Sequence, residues 1–432
     1  MPSRSCRNVV TRGNQAAEET ITAEKLASNL VDSFRSKRPG YRPIPCLGIT
    51  ESEEHEMRVS VFQRVVPDYR IPFFLSLDRS LGDRDCNLEI LAGQPWPHEC
   101  LIDARDELPF IRKTRNKRIS AKAYWLCGAL KTARRADIVI IEQASAALYI
   151  YPLIAMRLLG ITSWKLAFWG HGAQFNQKKP QPLRDSWKKF WTTKVDHFLA
   201  YTDLSAQAVR DCGFPAEKIT VVQNSIDIQR LQEVNQSLPE KELANQFREL
   251  FGESRRDSHR VGVFCARLTP LKWVPFLLKS LEIIHRQYPD FRMIIIGDGS
   301  DADRVQAFCQ RKPWCRWVGA VHGIKRVKYL AQADVFLNPG MTGLSILDAF
   351  SVGIPFVTTD CGIHSPEIAY LKNGINGTMS EPTESAFATA VSELIQSDSL
   401  AMIKKNALND GKKYTIESMT RNFVEGVMKA LA

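Results

Sequence analysis

Two cations five residues apart, a glycine turn feeding a helix with one acid, and a histidine between two glycines suit chemistry on a charged ligand. Arg267 and Lys272 bracket the turn ARLTPLK, which follows the apolar run VGVFCA. Pro270 forces the turn, after which WVPFLLKSLEII resumes a helical stripe. Cations at such a strand-to-helix turn suit a diphosphate, because Arg grips it with a planar fork and Lys adds a point charge. A solvated basic face uses the same residue types. A second turn, NPGMTG, follows DVFL and leads into LSILDAFSVG. The amides of Gly343, Leu344 and Ser345 at that helix start form an anion site with the helix dipole behind them. Asp348, one turn further in, is placed to accept hydrogen bonds from a ribose diol; the alternative is an ordinary exposed helix acid. Gly297 and Gly299 in GDGSD, after the strand RMIII, permit a tight turn and close backbone approach to a ligand, and plain turns use such glycines too.

Other residues could complete such a site. His171 in KLAFWGHGAQFN stands directly after a strand-like run, between Gly170 and Gly172, where a polar ring can project into a cleft. Arg70, in VVPDYRIPFF, follows the first strand and suits a phosphate or acceptor contact, or a surface salt bridge. Glu367 lies in HSPEIAYLKNG, another loop after a strand, with its role open.

Positioning these groups requires a scaffold of alternating strands and helices. From Met57 onward, short Val- and Ile-rich runs alternate with amphipathic segments, which predicts parallel sheets covered by helices on both faces. RVSVFQRVV, NLEILAG, DIVIIEQ, KLAFWGHG, HFLAYTD and KITVVQN are the strands of a first half; VGVFCAR, RMIIIGDG, CRWVGA, DVFLNP and PFVTTD are those of a second. The expected fold is α/β, two facing Rossmann-like doubly wound parallel-sheet domains with a cleft between them, and ligands of such sheets bind at the carboxyl ends of strands. The boundaries expected are a flexible extension over residues 1–56, a first domain over 57–225, a second over 226–415, and a C-terminal helix over 416–432 packing back on the first. The polar stretch from Ser225 to Leu250 is the expected hinge, and the apolar stretch from Leu148 to Ile161 a buried helix too short to span a bilayer.

Composition narrows the partners. The chain has 432 residues and a formal net charge of +11, which points to an anionic partner. Cations crowd the segment from Arg105 to Arg135, and Lys178, Lys179, Arg184, Lys188, Lys189 and Lys194 interleave with Trp187, Phe190 and Trp191. Basic residues with aromatics suit an interfacial helix on an anionic membrane, and a solvated helix with inward tryptophans has the same pattern. No motif that reads RNA or DNA accompanies the charge, so nucleic acid is not expected. Ten scattered cysteines without a CxxC pair favour a reduced, cytoplasmic setting, and the spacing of Cys309, Cys315 and His322 matches no common zinc pattern. No apolar leader opens the chain, so export is not expected.

The order and spacing of VVQNSID, ARLTPLK, IIIGDGSD and DVFLNPGMTGLSILDAFSVGIPFVTTD resemble the nucleotide-binding half of GT-B-fold glycosyltransferases, specifically the large retaining family 4. The resemblance runs from about Met57 to the C-terminus, tight in the second half and looser in the first. It implies that Arg267 and Lys272 hold the diphosphate of a nucleotide-sugar donor, that Asp348 holds the ribose, and that His171 contacts the donor sugar near the reacting centre. The family places a pair of glutamates eight positions apart across the glycine turn; the second falls on Asp348 and the first on Gly340, which has no side chain. Backbone groups near Gly340, Met341 and Thr342 are one substitute for it. The resemblance further implies sugar transfer with retention and no metal or other cofactor; a glycan or lipid-linked acceptor at the inner face of the cytoplasmic membrane would explain the basic clusters and the lack of a membrane-spanning stretch. The alternatives are a catalytically silent subunit that binds nucleotide-sugar or glycan, and a nucleotide-sugar epimerase on the same fold.

Overall fold

The computed structural model describes residues 56–432, apart from 97–98, 100–102, 122, 174–181 and the side chains of 182–186. Apart from Glu56, the expected extension lies outside the described residues, as do Lys178, Lys179 and the side chain of Arg184.

The first half opens with β1 (Met57–Gln63), β2 (Cys86–Ala92) and β3 (Ile111–Lys113), followed by a hairpin of β4 (Asn116–Arg118) and β5 (Tyr124–Leu126). It continues through β6 (Ile138–Glu142), β7 (Lys165–Gly170), β8 (His197–Ala200) and β9 (Ile219–Val221). Seven of these strands form one sheet in the order β3-β2-β1-β6-β7-β8-β9, with every pair parallel. Its helices are α1 (Ile71–Gly82), α2 (Ala129–Ala133), α3 (Ile150–Leu158), α4 (Pro182–Thr192) and α5 (Asp203–Arg210). Because successive strand side chains point to opposite faces, Val59 and Val61 of β1 enter one core layer and Phe62 the other. A strand covered on both faces must be apolar at nearly every position, which is why these runs are continuous rather than alternating.

Two helices, α6 (Ile228–Ser237) and α7 (Glu240–Phe251), lead into the second half. There β10 (Arg260–Cys265), β11 (Phe291–Ile296), β12 (Cys315–Trp317), β13 (Val335–Leu337), β14 (Phe356–Thr359) and β15 (Gly377–Ser380) form a parallel sheet in the order β12-β11-β10-β13-β14-β15. Its helices are α8 (Val274–Gln287), α9 (Ala302–Arg311), α10 (Val327–Leu330), α11 (Ser345–Ser351), α12 (Glu384–Gln396) and α13 (Leu400–Gly411). The two sheets are Rossmann-like and doubly wound, as expected.

Two expectations are corrected. The stretch from Ser225 to Leu250 is not an unpacked linker: it folds as α6 and α7, with Ile228, Leu231 and Phe247 buried in the core of the second sheet. The stretch from Leu148 to Ile161 is a helix with only one buried face; Leu153 and Ile154 are buried, whereas Leu158, Leu159 and Ile161 are exposed. The short strands β3, β4 and β15 give no signal in the sequence because IRK, NKR and GTMS carry no apolar run.

The last helix, α14 (Ile416–Leu431), returns to the first sheet. Met419, Phe423, Val424 and Val427 enter its core with Phe73, Trp169 and Leu199. Phe423 sits edge-on to both Phe73 and Trp169, with ring centroids 5.3 and 5.1 Å away. Phe423→Ala is therefore expected to lower stability by about 3–5 kcal/mol; denaturant titration checks this, and a loss under about 1 kcal/mol contradicts the packing.

Candidate active site

In both sheets the strand order reverses at one point, between β1 and β6 in the first and between β10 and β13 in the second. Ligands of such sheets bind outside the carboxyl ends of the strands at that point. The turns after β10 and β13 therefore form one half of a candidate site, and they are bonded to each other. Met341 N–H donates to the Leu271 carbonyl at 2.8 Å, and Lys272 Nζ donates to the Met341 carbonyl at 2.5 Å. The approach is so close that a Cβ at Gly340 would collide with the Leu271 carbonyl oxygen and the Lys272 backbone. A glutamate at position 340 has no room.

The NPGMTG turn is braced from behind. Thr358 and Thr359 hydroxyls donate to the Asn338 and Pro339 carbonyls, each at 2.7 Å. Buried His364 accepts the Thr342 N–H at Nδ1 (3.1 Å), which leaves the proton on Nε2 to donate to the Thr359 carbonyl (2.7 Å). The Met341 and Thr342 amides are thus consumed within the site's own framework. By contrast, the amides of Gly343, Leu344 and Ser345 donate to no group among the described residues. Beside them, Asn338 Oδ1, Thr342 Oγ1 and Ser345 Oγ are buried without partners. Buried polar groups are normally satisfied, so these unmet groups mark a place for a polar ligand.

Charge surrounds this turn. Arg267 is exposed and makes no side-chain bond among the described residues. Lys272 is buried, and loss of hydration, with the Arg267 charge adding, pushes its pKa down to about 8. Asp348 is not an exposed helix acid: it is buried, and Arg326 Nε and Nη2 donate to its Oδ1 at 2.9 and 2.7 Å. Burial pushes its carboxyl up while Arg326 opposes that shift. Arg326 also feels the field of Asp68, on the loop after β1. The GDGSD glycines have a structural cause: Gly297 and Gly299 adopt positive φ, and a Cβ at either would strike the backbone of Ala266 or Leu268 beneath Arg267.

The first half brings its own groups to the same region. Arg70 is buried rather than in a surface salt bridge; its Nη2 donates to Asn224 Oδ1 at 2.6 Å, and its guanidinium lies over Trp169. Asn224 Nδ2 in turn donates to Glu367 Oε1 at 2.6 Å, and Tyr370 OH donates to the Asn224 carbonyl at 2.9 Å. His171 is reachable by solvent yet set edge-on to Tyr201 at 4.7 Å. Surrounding protein strips its hydration and holds its pKa below the usual imidazole value; Glu367 opposes this, while Lys188 and Arg70 add to it. Glu367 thus acts on both His171 and Lys272, so residues from the two halves converge on one carboxylate. At the end of β6, burial pushes the carboxyl of Glu142 up.

Sequence reading misses Arg326, Asn224 and His364. Asn224 lies within the VVQNSID motif and His364 opens HSPEIAY, so both had a signal; Arg326, in GIKRVKYL, had none.

Two doubly wound sheets with a charged site at the switch points define a GT-B-type fold. The fold is shared with the Anabaena protein Alr3699/HepE in complex with UDP and glucose, at a TM-score of 0.62, 15% identity and coverage of 86% of this chain and 99% of that one. The chain belongs to the group 1, family 4 glycosyltransferases: a model described as Glycosyltransferase Family 4 matches residues 73–230, and one described as Glycosyl transferases group 1 matches residues 259–397. Among its relatives, the alpha-monoglucosyldiacylglycerol synthase of Acholeplasma laidlawii is 25% identical over 38% of this chain and 42% of its own length. The putative colanic acid biosynthesis glycosyltransferase WcaL of Escherichia coli is 26% identical over 68% of this chain and 70% of its own. The chain spans about half the length of the curated relatives it matches.

Two tests follow from the coupled turns. Gly340→Ala forces them apart and is expected to cost about 1–3 kcal/mol in denaturant titration; a neutral result contradicts the close approach. Because Lys272 in the folded chain loses its proton near pH 8 while the unfolded chain holds it to about 10.5, stability of the free protein should rise with pH between those values. Affinity for a nucleoside diphosphate should fall over the same range, by up to about tenfold per pH unit. Calorimetry and denaturant midpoints from about pH 7 to 10.5 measure both.

Proposed function

We propose that the chain transfers a sugar from a nucleotide-diphosphate-sugar to a hydroxyl of a glycan or lipid-linked acceptor, with retention, in the synthesis of cell-envelope polysaccharide or glycolipid. The observation that carries this reading is the set of unpaired amides at Gly343, Leu344 and Ser345 beside Lys272 and Arg267. Such donors suit a departing nucleoside diphosphate, whose oxygens gain negative charge as the bond from the anomeric carbon breaks. The new bond forms from the acceptor oxygen to that carbon on the same face, and the acceptor proton passes to a leaving phosphate oxygen. In this reading Asp348, held by Arg326, receives the ribose, Gly299 supports the Arg267 loop, and neutral His171 donates to the sugar.

The names of the relatives, a glucosyldiacylglycerol synthase and a colanic acid glycosyltransferase, support a lipid or glycan acceptor. Among the described residues no helix is long and apolar enough to cross a membrane. Exposed Leu158, Leu159 and Ile161 on one helix end, with exposed Trp187 and Phe190 beside Lys188 and Lys189, support peripheral contact with an anionic membrane at its inner face. Gly340 favours a second reading, a silent subunit that binds nucleotide-sugar for a partner, because no carboxylate can stand there.

A panel of nucleoside diphosphates and nucleotide-sugars tests the proposal by thermal shift. At about 100 times its dissociation constant the right nucleotide should stabilise the protein by roughly 2.7 kcal/mol, and Lys272→Ala should remove most of the effect. Absence of any shift overturns the donor site; a shift without turnover of any nucleotide-sugar selects the silent subunit.

A further inference from the structure

Cys309 and Cys315 take no part in the site above, and folding sets them face to face. Cys309 lies in the last turn of α9, Cys315 opens β12, and their sulfurs are 3.5 Å apart. Both are free thiols. A disulfide holds its sulfurs at about 2.05 Å, so bonding needs a closure of only about 1.5 Å. The link between the two is pinned at both ends: Lys312 N–H donates to the Cys309 carbonyl at 3.2 Å, and Cys315 N–H donates to the Lys312 carbonyl at 2.9 Å. Trp314, within that link, is buried, stacked on His285 with ring centroids 4.2 Å apart and edge-on to Phe308 at 5.8 Å. Packing therefore holds the two sulfurs together.

The thiols differ in a way that gives each a separate part. Cys309 is partly exposed, whereas Cys315 is fully buried. A hydrogen bond from the Cys315 thiol holds Cys309 below the usual thiol range; burial opposes this and the Arg316 charge supports it. Burial, with Cys309 adding, pushes the Cys315 thiol up. Because the thiolate is the nucleophilic form, the sulfur that solvent reaches is also the readier nucleophile.

We propose that Cys309 and Cys315 form a peroxide-sensitive dithiol, in which Cys309 attacks a hydroperoxide and Cys315 resolves the product to an intramolecular disulfide. With hydrogen peroxide, the Cys309 sulfur forms an S–O bond as the O–O bond breaks, and the departing oxygen takes up the proton lost by the thiol, leaving a sulfenic acid and water. The Cys315 sulfur then attacks the Cys309 sulfur; the S–S bond forms, the S–O bond breaks, and hydroxide leaves as water with the Cys315 proton. The thiols lose two electrons to the peroxide. In a reducing compartment such a pair rests as thiols and oxidises transiently. The bridge ties α9 to the edge strand β12, from which Trp317 Nε1 donates at 2.8 Å to the Gly297 carbonyl, in the turn beneath Arg267.

The test treats the reduced full chain with hydrogen peroxide at a dose that converts free cysteine to cystine, blocks the remaining thiols with N-ethylmaleimide in denaturant and maps tryptic peptides by mass. Trypsin parts the two cysteines at Arg311, so the disulfide joins residues 305–311 to 312–316 as one species, two hydrogens lighter than the separate pair and released by dithiothreitol. In Cys315→Ala, Cys309 should accumulate as a sulfenic acid captured by dimedone; in Cys309→Ala, Cys315 should remain a free thiol at the same dose. The proposal is overturned if the wild type keeps both thiols open to blocking, or if Cys309 passes to sulfinic acid without the joined peptides. It is equally overturned if Cys315→Ala yields no dimedone adduct, or if Cys315 oxidises in Cys309→Ala as it does in the wild type. Should a variant fail to fold, the wild-type peptide map decides.

Discussion

The backbone of Gly340 passes against the backbone of Leu271 and Lys272 with no space for a side chain between them. That approach lets the Leu271 carbonyl take the Met341 amide and the Met341 carbonyl take the Lys272 ammonium. Two loops from neighbouring strands thereby become one rigid unit. With the Met341 and Thr342 amides occupied, the next three remain unpaired, and Lys272 is held beside them in a buried position. A glutamate at position 340 would supply one more polar group to a sugar but would push this unit apart. The close approach and a carboxylate at this position exclude each other.

Burying charge is costly unless each ion is paired or bonded. The second half meets this demand through Arg326 and Asp348, and the first through Arg70, which donates to Asn224 and lies over Trp169. Asn224 passes the contact on to Glu367, so a residue just after β1 is linked to a loop after β14 by two bonds of 2.6 Å. The same carboxylate acts electrostatically on His171 and Lys272. This carboxylate lies on the same half as Lys272 and on the opposite half from His171, so a change in the spacing of the halves would move it relative to the histidine and not relative to the lysine.

How much of this is legible in the sequence depends on how locally each feature is encoded. Doubly buried strands such as VSVFQ and FRMIII announce themselves because both faces must be apolar. The Arg267, Lys272 and NPGMTG turns are visible because proline and glycine fix local backbone. The region from Ser225 to Leu250 passes for an unpacked linker because α6 and α7 each bury only a narrow stripe, with Ile228, Leu231 and Phe247 among many charges. The helix after Leu148 misleads for the opposite reason: its apolar end faces outward, and a run of leucines and isoleucines does not say which way its side chains point. Arg326 is invisible because its partner Asp348 is 22 positions away and only folding brings them together.

The polypeptide passes between the halves twice, near Ser225 and near Thr415, and the two passages touch: the Ser225 hydroxyl donates to the Tyr414 carbonyl at 2.5 Å. Since α14 fills the core of the first sheet, the second half is in effect an insertion within a discontinuous domain. During synthesis the inserted part can complete its sheet first, as the continuous stretch it is, whereas the earlier-made strands wait with Phe73 and Trp169 uncovered until residues 416–431 emerge. The core of the first sheet is thus closed by a helix translated only after the whole of the second half.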